Sequence, residues 1–340
     1  MRIAVRVDAS QDLGAGHLYR CLSLTQVQRE RGQTIQILAG LEPGFQIVDT
    51  GAIDGELIRV PLNLPESEDA AFLTSQVHEV DVIIVDRPGF GEVWERIARS
   101  ISQRVVAIDD RPRTQHDVDV LISTAAFVDQ DQPFAGYVNH GACVLIGPTF
   151  LPLRPEFHAK EATRRSQVSH VAAFFGSSDP GAQIEHVLDW ASTDTSGKLH
   201  FRVVAGGLNT RTEEWRKRAQ TLPNVELYGE VPNVAELWDW ADLGIGSYGM
   251  AAWERCARAL PTISTVQVDN QIDDARFLIR TGAVLDIGWA SDLTAARLES
   301  AYMTISSSPW QLESMSGAAA RVMADRDKGA ASLLAAITGD

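Results

Sequence analysis

Residues 1–39 read MRIAVRVDAS QDLGAGHLYR CLSLTQVQRE RGQTIQILA. Two short apolar runs, Ile3–Val7 and Thr34–Ala39, bracket a stretch of a different period. Within it, His17 to Arg31 sets Leu18, Cys21 and Leu22 on one helical face. Gly32 stands where a helix C-terminus favours a left-handed residue. A strand, a loop, a helix and a second strand in this order make a β-α-β unit. Such a unit brings its two strands together in parallel.

The same rhythm continues outward. Further strand-like runs are Leu57–Val60, Val82–Val85, Val105–Ile108, Val120–Ile122 and Val144–Ile146. Most are rich in Val and Ile, as expected of parallel strands covered on both faces. A break follows from Leu151 to Ser169, with Pro152, Pro155 and a charged run through Arg165. The pattern then restarts with Val171–Phe175, Phe201–Val204, Val225–Tyr228, Leu243–Ile245, Thr262–Val266 and Val284–Ile287. From Asp292 onward the chain is Ala- and Leu-rich with helical spacing, so terminal helices are expected, the last able to pack back on the first half. The expected fold class is α/β, with two Rossmann-like domains facing a cleft. The expected domains are residues 1–155 and 156–340, with the boundary between about 150 and 170.

Bulk properties narrow the function classes. The chain has 340 residues, 45 % apolar and 22 % charged, ordinary values for a globular protein with a core. No run approaches the roughly 20 apolar residues of a membrane helix. The opening MRIAVRVDAS lacks the apolar stretch of a signal peptide, so a cytoplasmic location is expected. Cys21, Cys143 and Cys256 are widely spaced and form no metal or disulfide pattern; they are expected to be buried as small apolar residues. A net charge of −15 argues against nucleic-acid binding. It leaves room for one small phosphate-bearing ligand, because backbone N–H groups at helix starts can hold an anion on an acidic protein.

Three clusters could carry chemistry. The first is Gly14-Ala15-Gly16-His17-Leu18-Tyr19-Arg20, between the first strand and the first helix. Glycines let the backbone approach a ligand, and a helix start favours negative charge. The helix dipole there disfavours an imidazolium and keeps His17 neutral, as a general base requires. A histidine that only caps the helix fits the spacing equally well. The second cluster is Gly244 to Glu254, a short strand entering a Gly/Ser loop and then a helix. Its N–H groups suit a diphosphate, and Glu254 could accept both ribose hydroxyls. A tight turn with a solvated Glu is the alternative. The third is Asp269-Asn270-Gln271, whose amides could bond sugar hydroxyls or acetamido groups, or form a polar turn. Asp109-Asp110 reads as loop capping, His116 as a surface or hinge histidine, and Trp238 and Trp240 as residues of a partly buried helix.

Taken in order, these residues resemble a known family: the UDP-sugar hydrolases of pseudaminic acid biosynthesis and the related proteins of spore-coat polysaccharide synthesis. The pieces that carry the resemblance are Arg6-Val7-Asp8, Gly14 to Arg20, Ile108-Asp109-Asp110, Gly147-Pro148, and Leu153-Arg154-Pro155-Glu156-Phe157. Phe175-Gly176-Ser177-Ser178-Asp179-Pro180, Ala241 to Gly249, Trp253-Glu254-Arg255 and Asp269-Asn270-Gln271 complete it. The family is similar to the peptidoglycan glycosyltransferase that uses UDP-N-acetylglucosamine and shares its GT-B fold.

The resemblance implies removal of UDP from a diacetamido-trideoxy hexose, water attacking the anomeric carbon with inversion. His17 takes the place of the catalytic base. Asp8, Gly14, Gly16, Arg20, Gly176, Ser177, Ser247, Tyr248, Gly249, Glu254, Asn270 and Gln271 are the implied substrate-binding residues. No metal or other cofactor is implied, because backbone donors can stabilise the leaving UDP. The expected partner is a small UDP-sugar, with neither nucleic acid nor membrane. Two stretches depart from the family: Arg87-Pro88-Gly89-Phe90, where a His-Tyr or Ser-Tyr pair is expected, and Ser123-Thr124-Ala125-Ala126, where a more polar end is expected. Both lie on the sugar or acceptor side. A GT-B glycosyltransferase, with His17 deprotonating an acceptor hydroxyl, and a non-catalytic nucleotide-sugar binding protein are therefore the rival readings.

Overall fold

The run Ile3–Val7 lies inside strand β1 (Arg2–Ala9), seven of whose eight residues are buried. Val, Ile and Ala leave no polar side chain to satisfy along most of that strand, so both faces can be covered by helices. The computed structural model describes residues 1–47, 56–158, 163–194 and 197–339. Those residues divide into two compact units. Residues 1–45, 56–155 and 325–339 make the first; 46–47 and those between 156 and 324 make the second.

In the first unit, β1 leads through a short loop into helix α1 (Gly16–Glu30). That helix ends at Arg31, and Gly32 follows with φ 81°, the left-handed residue that closes it. Strands β2 (Thr34–Leu41) and β3 (Glu56–Arg59) continue the sheet to one side. Helix α2 (Glu66–Gln76), strand β4 (Val80–Asp86), helix α3 (Glu92–Ala98) and strands β5 (Ser102–Ile108), β6 (Val120–Ser123) and β7 (Cys143–Ile146) build the other. The order is β3-β2-β1-β4-β5-β6-β7, parallel throughout. The chain reverses its direction of winding between β1 and β4. In an open parallel sheet, that switch point is where the loops at the carboxyl ends part and leave a crevice. Under the sheet, Leu38, Leu73, Ile83, Val105 and the fully buried Trp94 form the core.

The second unit repeats the plan. Strand β8 (His170–Phe174) is followed by α4 (Gln183–Thr193), β9 (His200–Val204), α5 (Thr212–Ala219), β10 (Val225–Tyr228) and α6 (Val234–Trp240). Then come β11 (Leu243–Ser247), α7 (Met250–Ala257), β12 (Thr262–Val266), α8 (Ile272–Thr281) and β13 (Val284–Trp289). The order is β10-β9-β8-β11-β12-β13, again parallel, with its switch between β8 and β11. Helices α9 (Ala295–Ser306) and α10 (Pro309–Val322) close this unit. Helix α11 (Arg326–Thr338) belongs to the first unit, although its sequence lies within the expected domain 156–340. The reason is contact: Gly329 packs so closely on Thr149 that a Cβ there would overlap the Thr149 backbone. No helix among the described residues is long and apolar enough to cross a membrane.

Two expectations are corrected. His116 is not a surface or hinge histidine but is 4 % exposed, inside a charged cluster. Cys143 is not buried: it lies exposed on the edge strand β7, while Cys21 and Cys256 are buried.

Candidate functional site

At the switch point of the first sheet, the carboxyl ends of β1, β4, β5 and β6 face the start of α1. Helix α1 has no side-chain cap and no acidic residue in its first turn. Its first N–H groups lack acceptors within the helix, and the dipole leaves partial positive charge there. His17 sits in that first turn, half-buried, and its Nδ1 lies 2.7 Å from Asp86 Oδ1 at the end of β4. Arg20 Nη2 also lies 3.0 Å from Nδ1, but the shorter contact is with the buried Asp86 carboxylate, which can only accept, so a hydrogen on Nδ1 suits the pair best. In the neutral tautomer with hydrogen on Nδ1, Nε2 is the accepting nitrogen, and it has no hydrogen-bond partner among the described residues.

Arg20, one turn further along α1, supports this pair. Its Nε donates to Asp86 Oδ2 at 2.5 Å and its Nη2 to Asp86 Oδ1 at 2.7 Å. Nη1 donates to Asp110 Oδ2 at 2.6 Å and Thr124 Oγ1 at 3.1 Å. Every guanidinium nitrogen is therefore engaged inside the protein. Arg20 acts by fixing Asp86 rather than by meeting a ligand. Burial alone would raise the Asp86 pKa, but Arg20 and His17 outweigh it and hold the carboxyl well below the usual range. Burial likewise opposes ionisation of Asp110, and Arg20 again wins. Cys21 packs beneath, its Sγ 3.6 Å from Asp86 Oδ2; burial and that carboxylate keep it a thiol.

A second network lies on the opposite pleat of the same strands. Asp8, at the end of β1, is 1 % exposed and accepts from Arg6 Nη1, from the Gly40 N–H at 3.0 Å and from Arg87 Nε. Gly40 must be glycine, since a Cβ there would collide with the Asp8 carboxylate. Arg6 is tied in turn to Asp69 of α2, and Asp69 accepts from Trp94 Nε1 at 2.9 Å. Asp8 is thus the anchor of Arg87.

A third cluster adjoins these. His116 Nδ1 is 2.6 Å from Glu95 Oε1, and its Nε2 is 3.3 Å from Asp109 Oδ2. Burial works against the charge, yet Asp109 and Glu95 push the His116 pKa up to about 9. Asp109 also accepts from the Arg111 N–H at 2.9 Å, and Asp110 from the Thr124 N–H at 2.7 Å, as loop-capping carboxylates do.

In the second unit, the loops at the carboxyl ends of β8, β9, β11 and β12 are drawn together. Gly176 has φ 97°, and Asp179 and Ala182 take the left-handed region without being glycine. Such backbone is stored where the surroundings fix it. Asp179 does part of the fixing, accepting from the Gln183 and Ile184 N–H groups at 3.1 and 3.0 Å. Ser177 lends its carbonyl to the Leu208 N–H at 2.9 Å. Gln267 Nε2 donates to the Phe175 carbonyl and its N–H to Gln271 Oε1, both at 2.9 Å. Gly249 opens α7 in extended backbone and lies against Gln271, while Asn270 is exposed. Gly176, Ser177, Gly249, Asn270 and Gln271 therefore belong to one group of loops.

Strand β11 extends past the expected Leu243–Ile245 and takes in Gly246 and Ser247 of the expected Gly/Ser loop. Gly244 and Gly246 are in the strand, and the buried Arg255 lies over them. Arg255 Nη2 donates to the Ser247 carbonyl at 2.8 Å, while its Nε and Nη1 have no partner. Burial lowers its pKa to about 10. Tyr248 is fully buried, and its hydroxyl donates to Asp286 Oδ1 at 2.8 Å. Glu254 is 3 % exposed, and Trp238 of α6 is wholly buried.

His17 stands out in the sequence because a histidine after Gly-x-Gly at a helix start is visible in one window. The same window misses Asp86 and Thr124 as partners and Arg87 as a bound side chain. Each lies more than 65 positions from its partner, and only the parallel register, with Val7 beside Asp86, brings them together.

No protein-family model matches the chain. It is 25 % identical over 283 residues to an uncharacterized protein of Methanocaldococcus jannaschii, a match over 80 % of this chain and 57 % of that protein. The chain thus spans little more than half the length of that relative. It is 22 % identical over 295 residues to the spore coat polysaccharide biosynthesis protein SpsG of Bacillus subtilis, over 85 % of this chain and 84 % of that one. Among solved structures, the glycotransferase of kitacinnamycin matches with TM-score 0.62 and 17 % identity, over 98 % of this chain and 97 % of its own. Other glycosyltransferase structures share the likeness. The fold is that of the GT-B glycosyltransferases: two α/β domains, each on a parallel sheet.

Proposed function

We propose that this protein is a nucleotide-sugar enzyme of the glycosyl-transfer type, in which His17 Nε2 deprotonates a hydroxyl that attacks the anomeric carbon. The observation that carries this reading is the His17–Asp86 pair, 2.7 Å apart, at the switch point of the first sheet. It orients the ring and leaves one nitrogen free to take a proton. As the proton moves to Nε2, the attacking oxygen bonds to the anomeric carbon, the bond to the nucleotide's terminal phosphate oxygen breaks, and configuration inverts. The new charge falls on the leaving diphosphate. Taken by itself, the second unit offers backbone N–H groups at Gly176-Ser177 and Ser247–Gly249, with the start of α7, as donors suited to a nucleotide diphosphate. Glu254 is the proposed ribose acceptor, and Asn270 and Gln271 the proposed sugar ligands.

The glycosyltransferase neighbours favour an acceptor alcohol as the nucleophile. Water is the second reading, which makes the enzyme a UDP-sugar hydrolase. It is supported by the ordered motif set from Arg6 to Gln271 and by the likeness to the spore-coat protein. Incubation with UDP-sugars separates the readings. UDP released without an acceptor indicates hydrolysis, UDP released only with one indicates transfer, and binding without release leaves a binding protein. The nucleotide assignment is tested by calorimetry on Glu254→Gln, which keeps the volume of a buried side chain. UDP affinity is expected to fall by roughly 1.5–3 kcal/mol, the scale of hydrogen bonds to a charged group. Unchanged affinity removes Glu254 from the ribose.

A further inference from the structure

Arg87 directly follows Asp86 at the carboxyl end of β4, so it emerges at the same sheet edge as the His17 pair but with its side chain on the Asp8 pleat, and it occupies a position where the sequence departs from the family it resembles. Its side chain is 13 % exposed. Asp8 takes its Nε, and the guanidinium carbon lies 4.6 Å over the Phe90 ring centroid. Those two contacts fix the plane of the group. Neither terminal nitrogen has an acceptor among the described residues. The Asp8 carboxylate that holds Arg87 is itself shared with Arg6 and the Gly40 N–H, so its charge is divided. A cation locked from behind, with its fork of N–H donors left open, is the arrangement that recognises a carboxylate or phosphate in two parallel hydrogen bonds.

We propose that Arg87 is a specificity residue: it binds an oxyanion carried by the sugar or by the acceptor that reacts at His17. This deepens the proposed function and rests on it for the reaction. The recognition itself belongs to the first unit. A lysine at this position would keep the charge but lose the fork. A neutral sugar in its place would leave the two terminal nitrogens with water alone.

The test uses calorimetry on the wild-type protein, Arg87→Gln and Arg87→Lys, with melting curves to verify that each variant is folded. UDP, UDP-glucose and UDP-glucuronate form one arm; the last two differ at one carbon, hydroxymethyl against carboxylate. Glucose, glucuronate and glucose 6-phosphate, with and without UDP, form the other. An anion on the donor appears as tighter binding of UDP-glucuronate than of UDP-glucose. An anion on the acceptor appears as saturable binding of glucuronate or glucose 6-phosphate where glucose shows none. In either arm the preference is expected to be about 10-fold or more. It should be lost in Arg87→Gln and reduced in Arg87→Lys, with UDP affinity equal in all three. A wild type that shows no preference in either arm overturns the proposal. So does a preference that survives in Arg87→Gln, or a loss of UDP affinity in that variant, which would set the fork on the diphosphate instead. Failure of UDP itself to bind the wild type defeats the nucleotide reading, while the arm with sugar anions alone still reads Arg87.

Discussion

His17 Nδ1 and Asp86 Oδ1 are 2.7 Å apart across 69 residues of sequence, one at a helix start and the other at a strand end. The contact ties a half-buried ring to a carboxylate that Arg20 holds by two hydrogen bonds. On the proposed mechanism Asp86 is a positioning residue: it sets which ring nitrogen carries hydrogen.

Asp86→Asn therefore removes the fixed acceptor for that hydrogen and lets the carboxamide donate to Nδ1 instead, which would leave Nε2 protonated. Turnover is expected to fall about 10²–10⁴-fold with little change in KM. Arg20 loses a buried partner as well, so stability should fall by roughly 3 kcal/mol. Steady-state kinetics on the folded fraction separates the two. A change in KM alone, with kcat kept, would assign Asp86 to structure only.

His116 gives the first unit a pH dependence on the alkaline side. Its folded pKa, about 9, is above the ordinary value of 6.5. The charged ring held between Glu95 and Asp109 thus stabilises the fold fully below about pH 6.5. That contribution is lost as pH rises through about 9. The shift corresponds to on the order of 3 kcal/mol at most. Chemical denaturation at pH 6 and pH 10 should show the wild type losing stability over this window. His116→Gln should start lower and show a flatter slope; equal slopes would remove His116 as the cause.

Strand positions were legible in the sequence because Val and Ile crowd into runs that only a doubly covered parallel sheet can use. Ile3–Val7 and Thr262–Val266 both fall inside strands, the second end to end. Helix α1 was legible from Leu18, Cys21, Leu22 and the closing Gly32. The networks were not, because a window shows what is near in sequence. The resemblance makes Asp8 a substrate-binding residue, while the fold buries its carboxylate among Arg6, the Gly40 N–H and Arg87. Gly246 reads as part of the Gly/Ser loop that the strand Leu243–Ile245 enters, although it lies in the strand and makes room for Arg255. A glycine spared for a neighbour's bulk and one spared for a ligand look the same in one dimension.

Gly246→Ala tests that last point. A Cβ there would meet the Phe174 carbonyl of the adjacent strand and come within 2.7 Å of Arg255 Nη1. Neither can withdraw: one is sheet backbone, and the other is a buried guanidinium. Overpacking of this kind costs typically 1–3 kcal/mol. Thermal melts should show that loss, and UDP affinity measured below the transition should stay near the wild-type value. A variant as stable as the wild type that no longer binds UDP would restore the reading of Gly246 as a nucleotide-loop glycine.

On the proposed mechanism His17 is the base, and its substitution has three readouts. His17→Asn keeps a polar side chain at the helix start but has no nitrogen able to accept a proton. It should lower kcat by about 10²–10⁴-fold while leaving UDP affinity nearly intact, because a base acts mainly in the transition state. The fold should persist, since Arg20 still holds Asp86 and Asp110 without the ring. Heavy-oxygen water then identifies the nucleophile for the wild type. If water attacks the anomeric carbon, the label enters the free sugar; if an acceptor attacks, no product is labelled. Label in the UDP would mean attack at phosphorus, and the glycosyl-transfer mechanism would have to be abandoned. Full turnover by a folded His17→Asn protein would reduce His17 to a helix-start residue and leave the nucleotide-binding reading in front.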